Sequence, residues 1–379
     1  MPHLVYLVTE DWYFCSHRIG LARAARSAGY DVTVATRVTN HAAEIEGAGL
    51  TLESIPFERS LRHPRRDVEA LRHITAIYRR LRPDIVHHVA LKPVLLGAYP
   101  AHRLGIPCVN ALTGLGYVFS SAEQRARLLR PLVKAALGRA LTAPRAWTLV
   151  QNPDDAALIR DQWPGAEQRL SLIRGSGVDV NAFRPVPRAS TQAPVVMLVA
   201  RMLRDKGVVE FVDAARTLRA EGVKARFVLV GDSDNDNPAA IDRQLLQKWQ
   251  SDNLVEWWGQ RVDMPEVYAQ ADLVCLPSYR EGLPKVLLEA AASGLPLVAA
   301  DVPGSREIAI HEQTGLLVPA RDSTGLAAAI KRLIADVPLR RQLGEGARRL
   351  VEQAFSIETI NTQTLSLYQR VLAGARCSA

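Results

Sequence analysis

Short apolar runs rich in Val, Leu and Ile alternate with helical patterns along almost the whole chain of 379 residues. In the first half these runs are HLVYLV, YDVTVAT, PDIVHHV, IPCVNAL and WTLVQN. Such alternation is typical of parallel strands joined by helices that cover both faces of a sheet. The pattern therefore predicts an α/β fold.

The same alternation restarts after a polar, helix-breaking stretch, RPVPRASTQAP, at 184–194. The runs PVVMLVAR, RFVLVGD, VEWWG, ADLVCLP and LPLVAAD follow it. Because the chain is also too long for one ordinary core, we predict two domains, 1–187 and 188–355. A broad apolar face in the remaining segment, 356–379, predicts a tail helix that packs back toward the first domain. That face consists of Ile360, Leu365, Leu367, Tyr368 and Leu372.

Cysteine usage, hydrophobic runs and net charge limit the cellular compartment and the chemical class of binding partner that we expect. The four cysteines stand far apart without a CxxC pair, which argues against a disulfide framework and against a zinc site. No signal peptide is recognisable at the start, and no run approaches the roughly 18 to 20 apolar residues that span a bilayer. We therefore expect a cytoplasmic protein. The formal net charge of +8 favours an anionic partner: nucleic acid, anionic lipid or a phosphorylated small molecule.

Arg201 and Lys206 lie in VARMLRDKG, between an apolar strand pattern and the helical run VVEFVDAARTL. Open α/β sheets bind ligands where a strand ends and a helix begins, and the amides at a helix N-terminus favour anions. Both cations are thus suitably placed for a diphosphate. The alternative is that they are solvated loop charges.

A second stretch, SYREGLPKVLLEAAASGLP, carries Glu281 and Glu289. Their spacing of eight positions predicts that both lie near one face of a helix, where they could grip hydroxyl groups of an extended ligand. Pro284 suits the first helical turn, and Gly282 permits a close backbone approach. The alternative is a surface helix with two solvated glutamates.

Four segments carry a family resemblance: VARMLRDKG, VLVGDSDNDNP, LPSYREGLPKVLLEAAASGLPLVAADVPGSREI and TGLLVPARD. In this order and spacing they resemble the family-4 retaining glycosyltransferases. The resemblance implies the GT-B fold, in which two Rossmann-like domains face each other across a cleft. No cofactor or metal is expected, because two cations can stabilise the leaving nucleoside diphosphate as a divalent metal does in other folds.

The resemblance also implies roles for individual residues. Arg201 and Lys206 match the residues that bind the donor diphosphate, Glu289 matches the one that binds the ribose, and Glu281 matches the one that contacts the donor sugar. We therefore expect Glu281, Arg201 and Lys206 to be catalytic. The donor-binding set is Glu289, Gly282, Leu283 and Pro284.

Two first-domain segments and one dipeptide of the second domain resemble bacterial enzymes that add a hexose or hexosamine to a polyprenyl-diphosphate-linked sugar. They are DWYFCSHRIGLARAARSAGYDVTVAT, PDIVHHVALKPVLLGAYPAHRLGIPCVNALTGLGYVF and the NP dipeptide after GDSDND. This resemblance implies a UDP-sugar donor and a polyprenyl-diphosphate-linked glycan acceptor, in glycan or surface polysaccharide synthesis.

Loops after first-domain strands supply candidates for the acceptor or its diphosphate. These are His17, Arg18, His88, Lys92, Thr113, Gly114 and Gly116. We expect His88 and Lys92 to follow the strand DIVHH at the inner edge of the cleft, and for Lys92 a solvated charge is the alternative. His87 is expected to be buried. Many family members have a histidine where Thr113 and Gly114 stand.

Asp232–Asp236 offers two tempting metal motifs that we set aside. The stretch resembles the opening of a calcium loop, but Asn237 stands where Gly is expected and Arg243 where Glu is expected. It also contains the Asp-x-Asp of metal-dependent glycosyltransferases, which have a different fold. We interpret it as a structural loop. The absence of GxGxxG after the first strand weakens a dehydrogenase interpretation.

Basic residues concentrate in 59–83 and 123–147, where Arg mixes with Leu, Val and Ala at near-helical spacing. Such segments lie on anionic membrane surfaces, or else they pack on a core with their arginines exposed. A polyprenyl acceptor favours peripheral attachment to the inner face of the cell membrane. No nucleic-acid-binding motif accompanies the charge, so we expect no nucleic acid partner.

Two other functions remain open on this sequence. A sugar-nucleotide epimerase, or another non-transferase on the same scaffold, would convert the donor without an acceptor. A catalytically inactive binding protein would keep the fold and lose the chemistry.

Overall fold

The computed structural model describes residues 1–58, 64–114, 124–186, 193–234 and 237–376. The chain forms two compact units, Met1–Ser176 with Ile357–Ala379, and Gly177–Ser356. The expected boundary between 187 and 188 lies outside the described residues, and the division comes earlier in the chain. Val178 donates its N–H to the carbonyl oxygen of Phe355 at 3.0 Å, and Phe183 packs in the second unit's core, so both residues belong to that unit.

The first unit is built on a parallel sheet of seven strands. In the order β3-β2-β1-β4-β5-β6-β7, every neighbouring pair is parallel. The strands are β1 (His3–Glu10), β2 (Asp31–Arg37), β3 (Thr51–Ser54), β4 (Ile85–Val89), β5 (Cys108–Leu112), β6 (Ala146–Val150) and β7 (Leu170–Leu172). Strands β4 and β5 are buried along their whole length, as expected for a sheet covered on both faces.

Helices cover the sheet of the first unit. They are α1 (Asp11–His17), α2 (Ile19–Ser27), α3 (Ala42–Gly47), α4 (Pro64–Leu81), α5 (Leu91–Arg103), α6 (Gln124–Thr142) and α7 (Pro153–Gln162), followed by a 3₁₀ helix, Pro164–Arg169. Asn152 caps α7 by accepting a hydrogen bond from the N–H of Asp155 at 2.8 Å, and Pro153 occupies the first turn. Both features are favourable at a helix start.

The second unit has a parallel sheet of six strands in the order β10-β9-β8-β11-β12-β13. The strands are β8 (Val195–Val199), β9 (Arg226–Val230), β10 (Glu256–Trp257), β11 (Leu273–Leu276), β12 (Leu297–Ala300) and β13 (Gly315–Val318). The helices are a 3₁₀ helix, Arg204–Lys206, then α8 (Val208–Ala220), α9 (Arg243–Ser251), α10 (Met264–Tyr268), α11 (Lys285–Ala292), α12 (Ser323–Ala335) and α13 (Val337–Ala354).

The last helix, α14 (Ile357–Arg376), belongs to the first unit. Its apolar residues Ile360, Leu367 and Tyr368 join the core formed by β1, β2 and β4. The Tyr368 hydroxyl lies 3.0 Å from that of Tyr6 and 2.5 Å from Nδ1 of His87. Polar contacts thus add to the apolar packing of this helix.

Each sheet changes direction at one place. The chain runs outward from β1 to β3 and returns to β4 beside β1, and it runs from β8 to β10 and returns to β11 beside β8. The carboxyl ends of the two central strands are where open α/β sheets bind ligands. The fold therefore directs attention to the loops after β8 and β11.

Candidate active site

The loop after β8 carries both predicted phosphate-binding cations, Arg201 and Lys206. Gly207 ends the 3₁₀ helix with φ of +73° and leads directly into α8. A Cβ atom at this position would overlap the carbonyl oxygen of Pro277, which follows β11. Glycine is therefore required both for the left-handed conformation and for the close approach of the two loops.

Lys206 and Glu281 lie together, although they are far apart in the sequence. The Lys206 ammonium donates to Oε1 of Glu281 at 2.6 Å, and the two side chains are 25% and 10% exposed. The N–H of Tyr279 also donates to the carbonyl oxygen of Asp205 at 2.9 Å. The loops after β8 and β11 therefore form one polar site.

Glu281 does not share a helix with Glu289. Helix α11 begins at Lys285, with Pro284 immediately before it in an extended conformation, so the expectation of one helical face is wrong for Glu281. The reason is the Gly-Leu-Pro turn, which keeps the chain extended before the helix. Gly304, with φ of +79°, packs so closely on the carbonyls of Glu281 and Gly282 that a Cβ atom would overlap them.

Glu289 is buried inside the second unit with 6% of its surface exposed. Burial raises the pKa of its carboxyl group above the ordinary value, and the nearby Lys285 ammonium opposes that shift. Lys285 Nζ lies 3.2 Å from Oε1, and the Tyr268 hydroxyl donates to Oε2 at 3.2 Å. A buried carboxylate is stable only with such partners.

Arg201 also has a carboxylate partner. Its Nη1 donates to Oδ2 of Asp234 at 2.8 Å, and Asp234 follows β9, the strand next to β8. The Arg201 side chain is 46% exposed. Its guanidinium is thus held at the carboxyl edge of the sheet while remaining accessible to a ligand.

His17 is the last residue of α1, and Arg18 stands between α1 and α2, so neither lies in a loop directly after β1. His17 is partly exposed, stacks on Tyr13 at 4.2 Å between ring centroids, and lies 2.6 Å from the Ser16 hydroxyl. Arg18 is only 3% exposed, and its Nε has no hydrogen-bond partner among the described residues. A buried cation of this kind favours an anionic ligand.

The side chains of His88 and Lys92 form contacts within the first unit. His88 lies within β4, not after it, and is fully buried. Its Nδ1 is 2.7 Å from Asn110 Oδ1 and its Nε2 is 3.0 Å from the Tyr78 hydroxyl, while burial lowers its pKa to about 4. The expected position of His88 at a binding edge is therefore wrong.

Lys92 is 9% exposed in its side chain and pairs with Asp67 at 2.6 Å. It also donates to the carbonyl oxygen of Glu58 at 2.6 Å. These partners give Lys92 a structural role, joining α5 to α4 and to the segment after β3. His87 is buried as expected.

The loop after β5 contains Thr113 and Gly114. Thr113 is partly exposed and Gly114 is exposed, with a φ of +151° at Gly114. Gly116 lies outside the described residues.

The Asp232–Asp236 loop is held by contacts within the protein. Asp232 pairs with Arg243, and the Ser233 hydroxyl donates to the carbonyl oxygen of Ile241 at 2.6 Å; Asp236 lies outside the described residues. Across the part of the chain that the structure describes, no group of three or more His, Cys, Asp or Glu could hold a metal ion. Within that same part, every helix is too short or too polar to cross a bilayer.

Two family models match the chain. Glycosyl transferase 4-like covers residues 3–142, and Glycosyl transferases group 1 covers residues 193–336. The second match includes Arg201, Lys206, Glu281 and Glu289.

Curated relatives and solved structures agree with these matches. The N,N'-diacetylbacillosaminyl-diphospho-undecaprenol alpha-1,3-N-acetylgalactosaminyltransferase of Campylobacter jejuni is 26% identical over 94% of this chain and 95% of its own. The D-inositol 3-phosphate glycosyltransferase of Saccharomonospora viridis is 30% identical over 78% of this chain and 72% of its own. Anabaena HepE, solved in complex with UDP, superposes with a TM-score of 0.79 at 19% identity, covering 98% of this chain and all of HepE.

Three contributors to this site were missed by sequence reasoning: Asp234, Tyr268 and Gly304. Gly304 carried a usable signal, since glycine after proline in DVPGSREI marks a turn. Asp234 stands in the stretch that the sequence predicts to be a structural loop, and Tyr268 reads as one more apolar position in a helical pattern. Asp234 contacts Arg201 and Tyr268 contacts Glu289, and these pairs are far apart in the sequence, so only the folded structure shows them.

Proposed function

Because this chain belongs to the group 1 glycosyltransferases and has their GT-B fold, we propose that it transfers a hexose or N-acetylhexosamine from a UDP-sugar to a polyprenyl-diphosphate-linked sugar, with retention at the anomeric carbon. This transfer belongs to bacterial glycan or surface polysaccharide synthesis. The observation that carries the proposal is the ion pair between Lys206 and Glu281 at 2.6 Å. This pair joins a phosphate-binding cation and a sugar-contacting carboxylate in one site.

On the donor side, Arg201 and Lys206 bind the diphosphate, Glu289 binds the ribose and Glu281 orients the transferred sugar. Gly282, Leu283 and Pro284 form the turn that brings backbone groups close to the donor. The binding of UDP by Anabaena HepE supports a uridine nucleotide. The name of the Campylobacter jejuni relative supports a lipid-linked acceptor.

On the acceptor side, Arg18 and the Thr113–Gly114 backbone are the best remaining candidates for the acceptor diphosphate. Arg18 offers a buried cation, with its Nε unpaired among the described residues. His17 is accessible at the end of α1. His88 and Lys92 are occupied by contacts within the unit, so they support the architecture and not the ligand.

The proposed reaction depends on stabilising the charges that develop as the donor bond breaks. Departure of UDP leaves an oxocarbenium-like sugar and develops negative charge on the diphosphate, which Arg201 and Lys206 stabilise without a metal. The acceptor hydroxyl attacks from the side that the leaving group occupies, and the departing phosphate takes its proton. Glu281 orients the donor sugar and stabilises the positive charge, and it forms no covalent intermediate.

We further propose that the protein is cytoplasmic and attaches peripherally to the anionic inner face of the cell membrane. Helix α4 buries Ile74 and Tyr78 in the core, and it leaves its arginines and Val68, which is 48% exposed, at the surface. Helix α6 offers more, because Leu132 is 69% exposed on it. A basic surface with an exposed leucine suits an anionic bilayer.

Thermal unfolding with UDP, GDP, ADP and several UDP-sugars, with and without magnesium, tests the donor half of the proposal. A ligand at about 100 times its Kd stabilises by roughly 2.7 kcal/mol, so we expect a metal-independent rise with UDP and with one UDP-sugar. No shift with any nucleotide would favour the inactive binding protein. Conversion of a UDP-sugar to its epimer without acceptor would favour the epimerase.

A further inference from the structure

Glu289 is a buried carboxylate that depends on other side chains for its orientation. It lies on α11, where Leu287, Leu288 and Ala290–Ala292 are buried as well. Because burial raises the pKa of its carboxyl group, the ionised form needs donors close by. Two side chains supply them, one to each oxygen.

The two donors differ in rigidity. Lys285 lies one turn earlier on the same helix, is 33% exposed and carries its charge on a flexible stem. Tyr268 comes from α10, is fully buried and packs edge-on against Phe183, with 5.9 Å between the ring centroids. Tyr268 is therefore the donor with a fixed position.

The Tyr268 hydroxyl is a donor under all ordinary conditions. Burial and the neighbouring Glu289 carboxylate raise its pKa well above the usual value, so the proton stays on the oxygen. The hydroxyl lies 3.2 Å from Oε2 of Glu289 and 3.2 Å from the carbonyl oxygen of Val286. Both acceptors belong to α11, so this single group fixes the carboxylate relative to its helix.

We propose that Tyr268 is a positioning residue for the recognition of the donor ribose. It holds Oε2 of Glu289 so that the carboxylate presents its remaining lone pairs to the ribose hydroxyls. A carboxylate has about four acceptor sites, so the contacts with Tyr268 and Lys285 leave capacity for a ligand. This inference rests on the proposed function, in which Glu289 contacts the ribose.

The test compares UDP with 2′-deoxy-UDP by calorimetric titration, using the wild type and Tyr268→Phe. We expect the wild type to prefer UDP, because a site built to bind a hydroxyl loses a partner when that hydroxyl is missing. In Tyr268→Phe the affinity for UDP should fall by about three- to tenfold while that for 2′-deoxy-UDP changes little. The preference for UDP should therefore shrink.

Tyr78→Phe is the matched control, since Tyr78 is also fully buried and bonded to a core residue, His88, in the first unit. We expect it to keep the wild-type preference. Because either substitution can lower stability, the titrations are done well below each variant's unfolding midpoint. Glu289→Gln supplies a second measurement: Tyr268→Phe added to it should reduce the preference no further.

An unchanged preference for UDP in Tyr268→Phe would overturn the inference. The inference would also be overturned if the losses of preference caused by Tyr268→Phe and by Glu289→Gln simply added in the double variant. A wild-type protein that binds both nucleotides equally would overturn the ribose contact of Glu289 and the role of Tyr268 with it, leaving sugar transfer standing. Failure of the wild type to bind either nucleotide would overturn the proposed function itself.

Discussion

Arg201 meets a carboxylate that a donor diphosphate would have to replace. Asp234 Oδ2 lies 2.8 Å from the Arg201 guanidinium, and the arginine side chain is nearly half exposed. Exposed ion pairs of this kind contribute about 0.2–1 kcal/mol and weaken with salt. In the proposed function, Asp234 therefore competes with the donor diphosphate for Arg201.

The variant Asp234→Asn should bind UDP about two- to fivefold more tightly at low ionic strength, because the competing charge is gone. The difference should disappear at high salt. Calorimetric titration at two salt concentrations measures both effects. Asp232→Asn is the control, since Asp232 lies in the same loop but pairs with Arg243. Weaker UDP binding by Asp234→Asn would show that Asp234 assists the nucleotide.

Glu281→Gln, Arg201→Ala and Lys206→Ala should each lower turnover by at least about tenfold, because each removes charge stabilisation from the reacting centre. Near-normal unfolding midpoints would separate this loss from a folding defect. Initial rates with saturating donor and acceptor provide the measurement. Rates close to wild type in all three variants would refute the site assignment.

Some of the residues in the candidate site could be predicted from the sequence. Arg201, Lys206 and the glutamate pair stand in motifs, so their family resemblance is visible in the sequence. His88 was misplaced because the strand includes it, and a strand's last residue depends on its pairing with β1 and β5. Asp234 and Tyr268 act through partners distant in sequence, which no local pattern reveals.

At the level of secondary-structure elements, the turn into α8 depends on Gly207. Gly207 has a left-handed φ and lies against the Pro277 carbonyl, so it holds the loops after β8 and β11 together. Gly222, at the C-terminal end of α8, also has a left-handed φ of +77°. Among the described residues, however, nothing lies within 4 Å of a Cβ atom built there.

Gly207→Ala should lower the free energy of unfolding by about 2–3 kcal/mol, because backbone strain and steric overlap add. Gly222→Ala, with strain alone, should cost about 1–2 kcal/mol. Urea unfolding of both variants measures the difference. Equal costs would mean that the loops after β8 and β11 need no close approach.

The main strands were predictable because each buried strand is a continuous apolar run. The α/β prediction with two sheets is confirmed, and every apolar run quoted from the sequence forms a strand. Three strands were not predicted. The segments of β3 and β7, TLES and LSL, are short and interrupted by polar residues, and β13 has only four residues, GLLV. The division between the two units comes at Gly177, before the polar stretch. Val178 and Phe183 already belong to the second unit, because Val178 donates to the carbonyl oxygen of Phe355 and Phe183 packs in that unit's core.

For the whole molecule, the net charge of +8 favours an anionic binding partner. The arginines of α4 face outward over a buried apolar side, and α6 adds the exposed Leu132. Charge attracts such a surface to anionic lipid, and an exposed leucine adds hydrophobic contact. This is the basis of the proposed membrane attachment.

Leu132→Ser should weaken binding to phosphatidylglycerol vesicles by at least about threefold, because full burial of a leucine side chain contributes about 1.5–3 kcal/mol. Vesicle flotation measures it, with phosphatidylcholine vesicles as the uncharged comparison. Val262→Ser is the control, since Val262 is 92% exposed and lies in the other unit. Equal losses in both variants would argue against α6 as the contact.

An assay of sugar transfer tests the proposed function directly. Purified protein is incubated with a polyprenyl-diphosphate-linked sugar and each UDP-sugar in turn, and the extracted lipid is analysed by mass spectrometry and by the anomeric proton signal in NMR. We predict that one UDP-sugar extends the acceptor by a single residue whose anomeric configuration matches that of the donor. An inverted product, or release of free sugar without any extended lipid, would contradict the assignment of this chain as a retaining transferase of lipid-linked glycans.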